Sequence, residues 1–288
     1  MPRSVWWLVA VLVVVLAAGV LVLDRRQAQR GAPSLLALPW GREGSREPLP
    51  RTPRAAARPG ASGEGAGRIA IIVDELGARP DVFDEILALG RPLTVAILPE
   101  LPLSRRMARE AARAGLEVLL QVPLEPYRFP EVDPGPGTLL VAMAPEDVTR
   151  RARQQLASLP GAAGVATYMG SRFTEDRVRM QALLDGIRGE GRFFVDALTT
   201  QASVAYDLAR AAGLPAARRQ VWLDPEETEA TVRARLLAVE RWAERRGSVV
   251  AIGHGRLLTV RLLGEALARW EARGFRLVPV SQLVERAA

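Results

Sequence analysis

The sequence predicts an α/β domain, a closed or nearly closed (β/α) barrel of seven or eight parallel strands, on three observations. From residue 69 onward, short apolar runs bounded by Gly, Pro or a charge alternate with helical periods. The units recur at a spacing of about 25 residues over about 220, the rhythm of strands covered by helices. No Gly-x-Gly-x-x-Gly follows the first run, so nothing marks an open dinucleotide-binding sheet. The expected strands are 69–73, 94–98, 117–121, 164–166, 192–195, 220–223, 248–252 and 276–279. Helical periods fill 80–89, 103–114, 145–157, 175–188, 201–211, 226–245 and 257–272. Pro80 and Pro145 suit a first helical turn, while Gly90, Gly115, Gly213 and Gly274 suit the left-handed residue that closes a helix.

Composition removes several classes of function. There is no cysteine and a single histidine, His254, so disulfide scaffolds, cysteine zinc sites and every metal motif needing two imidazoles are excluded. The net charge of +7 is misleading as a pointer to nucleic acid. Residues 1–68 hold ten Arg against Asp24, Glu43, Glu47 and Glu64, whereas the remainder holds 29 Arg against 28 acidic side chains. A nearly neutral folded part without a basic stripe lacks the footprint that phosphate recognition requires, and no nucleic-acid partner is expected.

Ahead of the barrel, residues 5–23 are nineteen positions without a charge, about 28 Å as a helix and close to a bilayer's hydrocarbon thickness. Asp24-Arg25-Arg26 follows directly where a signal peptide would carry a small-residue cleavage site, so an uncleaved transmembrane anchor is expected. Trp6 and Trp7 fall where an interfacial aromatic belt belongs. Basic-residue counting, Arg3 against Arg25, Arg26 and Arg30, leans towards a cytoplasmic C-terminal domain. Residues 24–67 read as a disordered linker rich in Pro, Gly, Ala and Arg, and 68–288 as the folded domain.

Barrel chemistry sits at the C-terminal ends of strands. Those ends carry Asp74-Glu75, Gln121, Tyr168, Asp196, Asp224 and His254. Asp74 and Glu75 are paired carboxylates able to ligate a hard cation or act as general base; alternatively Asp74 caps a turn while Glu75 faces water. His254 between Gly253 and Gly255 is an acid, a ligand or a satisfied core residue. Asp196 is catalytic or begins a loop. Asp224-Pro225-Glu226-Glu227 has the form of a helix N-cap. Ser171 and Arg172 offer a hydroxyl and a cation to a substrate, and Glu125 and Tyr127 line a second rim loop. A Ser171–His254–Asp74 triad is a further arrangement, although no Gly-x-Ser-x-Gly elbow supports it.

In order along the chain, Ile72-Val73-Asp74-Glu75-Leu76-Gly77, Val122-Pro123-Leu124-Glu125-Pro126, Met169-Gly170-Ser171-Arg172-Phe173-Thr174, Asp196 with Thr199-Thr200, and Ala251-Ile252-Gly253-His254 resemble the divergent polysaccharide deacetylases. The resemblance covers about 69–285. It implies a deformed (β/α) barrel, hydrolysis of acetyl groups on an envelope glycan, a zinc ion, and export or tethering in a bacterial envelope. On that basis the expected location is the inner membrane, single-pass, with the domain in the periplasm. It further implies catalytic roles for Asp74, Asp196 and His254, substrate contacts from Gln121, Glu125, Tyr168, Ser171 and Arg172, and metal ligation by Glu75.

This chain departs from the family pattern. Glu75 stands where the pattern has a second aspartate, and Gln121 and Tyr168 stand where it has histidines; Gly253-His254-Gly255-Arg256 keeps one histidine of two. An amide and a phenol do not replace imidazole on zinc at neutral pH. The expectation is therefore a retained fold with impaired metal-dependent activity, any cation being held by Glu75, Asp196 and His254. The alternative is a non-catalytic envelope protein that binds glycan or protein in the same cleft.

Overall fold

The computed structural model describes residues 66–189 and 191–286. The anchor expected over 5–23 and nearly all of the linker expected over 24–67 lie outside the described residues; Gly67, at that linker's end, opens the first strand. Among the described residues, no helix is long and apolar enough to cross a membrane.

In chain order the elements are β1 (Gly67–Leu76), α1 (Pro80–Ala88), β2 (Thr94–Ile97), α2 (Ser104–Arg113), β3 (Glu117–Leu124), α3 (Pro145–Ser158), β4 (Gly164–Met169), α4 (Arg177–Ile187), β5 (Phe193–Asp196), α5 (Ala205–Ala211), β6 (Ala216–Arg218), β7 (Val221–Trp222), α6 (Glu229–Arg246), β8 (Ser248–His254), α7 (Leu257–Ala272) and β9 (Phe275–Leu277). All named strands pair in parallel, in the order β6-β5-β4-β3-β2-β1-β8-β7, with β9 on β1. Pro80 and Pro145 open their helices, and Gly90, Gly115, Gly213 and Gly274 are left-handed, as expected.

Among the described residues, no strand pairing closes the barrel between β6 and β7. Edge strands β6 and β7 follow one another with only Arg219 and Gln220 between them, so the chain itself carries the sheet across its seam. Arg219 N–H donates to Asp196 O on one side (3.0 Å), and Gln220 N–H to Val250 O on the other (2.9 Å). The strand expected at 220–223 is thus shortened to β7 and preceded, with no helix between, by the unexpected β6. Ala216-Ala217-Arg218 lacks the β-branched residues that announce a strand, which is why β6 is not legible in the sequence.

Strand alternation divides the core in two. Ala70, Ile72, Leu119, Ala166, Val195, Val250 and Ile252 fill the interior of the curl. Ile69, Ile71, Val73, Leu120, Val122, Phe194 and Val249 face the helices with Phe83, Leu183, Leu236 and Trp270. Both clusters lie within the described residues, so this segment carries its own core. Residues that continue the interior rows at the C-terminal end form the floor of the mouth.

Candidate functional site at the barrel mouth

Asp74 continues the row Ala70, Ile72 on β1, and His254 continues Val250, Ile252 on β8; the two are register partners and point into the same mouth. Adjacent strand residues normally face opposite sides, so Glu75 would be turned away. Instead Glu75 adopts φ +60° at a register shift between Val73 and Leu76, a left-handed conformation costing about 1–2 kcal/mol for a residue with a Cβ. The kink swings its carboxylate back, and Glu75 Oε1 reaches His254 Nε2 at 3.1 Å. Gly255 permits this approach. Its N–H donates to Asp74 O (2.8 Å), and a Cβ there would sit 2.6 Å from Leu76 Cδ2.

Gln121 continues Leu119 on β3 and is fully buried. Its Nε2 donates to Asp74 Oδ2 (3.0 Å) and its Oε1 accepts from Glu75 N–H (2.8 Å). One amide therefore clamps both acidic residues and satisfies the N–H of the strained one. The Gln121 reading as a substrate contact is corrected to a buried brace.

Asp224, read from sequence as a helix N-cap, is instead the orienting group beneath His254. Helix α6 begins several residues later, behind Thr228, whose hydroxyl accepts from Thr231 N–H. Asp224 Oδ1 lies 2.8 Å from His254 Nδ1, its carboxylate accepts from His254 N–H (3.0 Å), and Thr259 Oγ1 donates to Oδ2 (2.7 Å). Trp222 packs edge-on against the imidazole at 5.6 Å. No local sequence signal marks this role; the sheet register does. Trp222 pairs with Ile252, so Asp224 is carried alongside His254.

The electrostatics follow from this packing. Burial alone would depress the His254 imidazole, but the bond to Asp224, the charge of Asp74 and the bond to Glu75 raise its pKa well above 6.5. Asp224 is held below the ordinary carboxylate value: burial opposes this, and the bonds from His254 and Thr259 outweigh it. Asp74 is pushed up to about 7 by burial, with the His254 charge pulling it down and Glu75 and Asp224 pushing it up. Its Oδ1 is buried with no hydrogen-bond partner among the described residues. Burial, with the charges of Glu75 and Asp74, also raises the Tyr168 phenol. Near neutrality the mouth therefore presents an imidazolium, a neutral phenol and a carboxyl poised to titrate.

Asp196 lies elsewhere. On β5, Phe193, Val195 and Ala197 face the interior, so Asp196 shares the outward row with Phe194. It accepts from Ser203 Oγ (2.9 Å) and Leu198 N–H (2.8 Å), with Arg218 Nε at 4.0 Å. It braces the loop after β5, and the expected cation set of Glu75, Asp196 and His254 is not assembled. Glu125 is likewise corrected from substrate contact to brace: it is 5% exposed and accepts from Arg172 Nη1 (2.8 Å) and Val141 N–H (2.6 Å). Arg172 remains exposed, tied at one end to Glu125. Ser171 Oγ accepts from Tyr127 N–H (3.0 Å) and has no bond to His254, so the serine triad is not formed.

The donors present do not fit zinc. Both ends of the Gln121 amide are engaged, the Tyr168 phenol stays protonated, and both His254 nitrogens face carboxylates. Zinc takes neutral imidazole and deprotonated ligands. Among the described residues, no three His, Asp or Glu side chains are grouped to hold a metal.

Fold and site together define a class: a parallel α/β barrel-type domain with a carboxylate–imidazole cluster at its C-terminal mouth. The profile described as divergent polysaccharide deacetylase matches residues 71–284, and the chain belongs to that family. It is similar to the uncharacterized protein YibQ of Escherichia coli K12, 32% identical over 198 residues, 69% of this chain and 61% of YibQ. The chain thus spans about three-fifths of that relative's length. An uncharacterized protein of Haemophilus influenzae is 30% identical over 200 residues, 69% of this chain and 71% of that one. Among solved structures, uncharacterized protein ATU2773 from Agrobacterium tumefaciens C58 has the same fold, with a TM-score of 0.73 at 29% identity over 79% of this chain and 93% of that one.

Proposed function

We propose that this chain is a membrane-anchored protein of carbohydrate metabolism whose mouth engages an acetylated envelope polysaccharide, and from which zinc-dependent acetyl hydrolysis has been lost. One observation carries the reading. Gln121 spends both ends of its amide on Asp74 and Glu75, at a position where the family pattern has a histidine. Family membership supports polysaccharide as the ligand class. The apolar run 5–23 supports the anchor, and the export implied by the resemblance supports a periplasmic domain. An imidazolium, a phenol and a titrating carboxyl suit the hydroxyl and acetamido groups of a sugar.

A second reading, acetyl hydrolysis without metal, is favoured by the Asp74–His254 pair. A carboxylate of pKa about 7 can take a proton from water while the neighbouring imidazolium stabilises developing negative charge. Elemental mass spectrometry after zinc reconstitution, run beside acetate release from acetylated chitooligosaccharide, tests both. Substoichiometric zinc with glycan binding and no acetate supports the first. Stoichiometric zinc with acetate release overturns it, and chelator-resistant release abolished by Asp74→Asn establishes the second.

A further inference from the structure

The near-neutrality of the folded part is an average over helices of unlike charge. Helix α1 holds Asp81, Asp84 and Glu85 and no base, whereas α2, α3 and α4 together hold nine Arg against four acidic side chains. Three of those acids, Glu110, Asp147 and Asp185, are tied to Arg106, Arg150 and Arg188. Arg105, Arg109, Arg113, Arg151, Arg153 and Arg177 are exposed and make no hydrogen bond or ion pair among the described residues.

Folding does not account for this placement. Arg105, Arg109 and Arg113 are like charges spaced four apart along one side of α2, which weakens a helix. Arg105 and Arg106 also lie in the first turn of α2, which has no acidic residue and where the helix dipole disfavours cations. An anionic partner would relieve both penalties.

The geometry indicates its form. Strands β2, β3 and β4 are neighbours, so α2, α3 and α4 lie side by side on the outside of the sheet. An open groove of about 910 Å³ between α3 and α4 is lined by Arg150, Arg153 and Arg177, and a smaller one of about 130 Å³ between α2 and α3 by Arg105 and Arg109. From Arg105 to Arg113, α2 rises about 12 Å, and three helices at about 8–10 Å spacing cover about 20 Å across. Cations spread over such a face, gathered into no single cleft, fit a planar array of phosphodiesters. Val178, 54% exposed beside Arg177, adds an apolar side chain among the cations, the composition of a helix that lies in a bilayer interface.

We propose that the outer face of α2–α4 docks on an anionic phospholipid surface. The inference goes beyond the carbohydrate reading and does not depend on it; the anchor proposed for 5–23 would keep such a surface at high local concentration.

Cosedimentation of residues 66–288, the segment that carries its own core, tests this without the apolar run, using phosphatidylglycerol–phosphatidylcholine vesicles beside pure phosphatidylcholine vesicles. Binding is expected to the anionic vesicles alone and should weaken as added salt shortens the Debye length below about 8 Å. Each cation near such a surface strengthens binding about fivefold, so the triple variant Arg105→Gln, Arg109→Gln, Arg153→Gln should bind about a hundredfold more weakly. Arg153→Gln alone should lose about fivefold and reads the same effect if the triple variant does not fold. Arg241→Gln, Arg245→Gln, Arg246→Gln removes the same charge from exposed, unpartnered positions on α6 and should stay within about twofold of wild type. An equal loss in the two triple variants overturns the proposal, because net charge and not this face would then act. Absence of binding to anionic vesicles overturns it as well. Duplex DNA bound as tightly as the vesicles, and lost in the same α2–α3 variant, overturns it in favour of nucleic acid.

Discussion

Replacing Asp74 with Asn should change stability with a sign that depends on pH. Asp74 is 6% exposed, its Oδ1 lacks a partner among the described residues, and its pKa is about 7 against an ordinary 3.8. Between those values the folded state keeps a proton that the unfolded chain releases, so stability falls as pH rises through this window. The difference of about 3 pH units is worth about 4 kcal/mol, the cost of ionising this carboxyl in place. Asn mimics the neutral acid at every pH and still accepts from Gln121, but it leaves a buried amide N–H₂ unpaired, at about 1–3 kcal/mol. At pH 4, where wild-type Asp74 is neutral in the fold, the variant should be less stable by that amount. At pH 8 the relief of about 4 kcal/mol should outweigh it and make the variant the more stable protein. Urea unfolding of residues 66–288 at the two pH values reads this directly. A stability gap that stays constant from pH 4 to pH 8 would refute the argument.

The remaining predictions concern the braces around this carboxyl. Asp224→Asn should lower the His254 titration midpoint towards the ordinary 6.5, read from the one imidazole resonance in the NMR spectrum of a chain with a single histidine. Because that pKa is raised in the fold, the stabilisation is complete below 6.5 and disappears as pH rises through the folded value; the variant should shrink it, and an unmoved midpoint contradicts the assignment. Gln121→Leu removes two buried bonds and strands the Glu75 N–H, so a loss of about 3 kcal/mol and a thermal midpoint lower by about 6–12 °C are expected by calorimetry. Gly170→Ala should cost about 2 kcal/mol or more in the same measurement, because Gly170 has φ +79° and a Cβ there would meet Leu124 Cβ at 2.6 Å.

The alternation of strand and helix was legible because each strand is buried on both faces and therefore reads as a short apolar run. Strands β1, β3, β4 and β8 nevertheless run on past those stretches, to Leu76, Leu124, Met169 and His254, and take in Asp74, Glu75 and Tyr168 on the way. Unbroken hydrophobicity ends where the mouth begins, so the pattern stops short of the residues that matter most. Ordered motifs did identify Asp74, Glu75 and His254 as one region. Which aspartate serves the histidine was decided only by the tertiary structure. Asp196 and Asp224 both close a strand before a loop, and the Pro-Glu-Glu that follows Asp224 gives it the local form of a cap. Strand parity sends Asp196 outward to Ser203, and the pairing of β7 with β8 lays Asp224 against His254. Register between strands distant in sequence carries no local signature, and neither does the kink at Glu75 that turns two neighbouring carboxylates to one side.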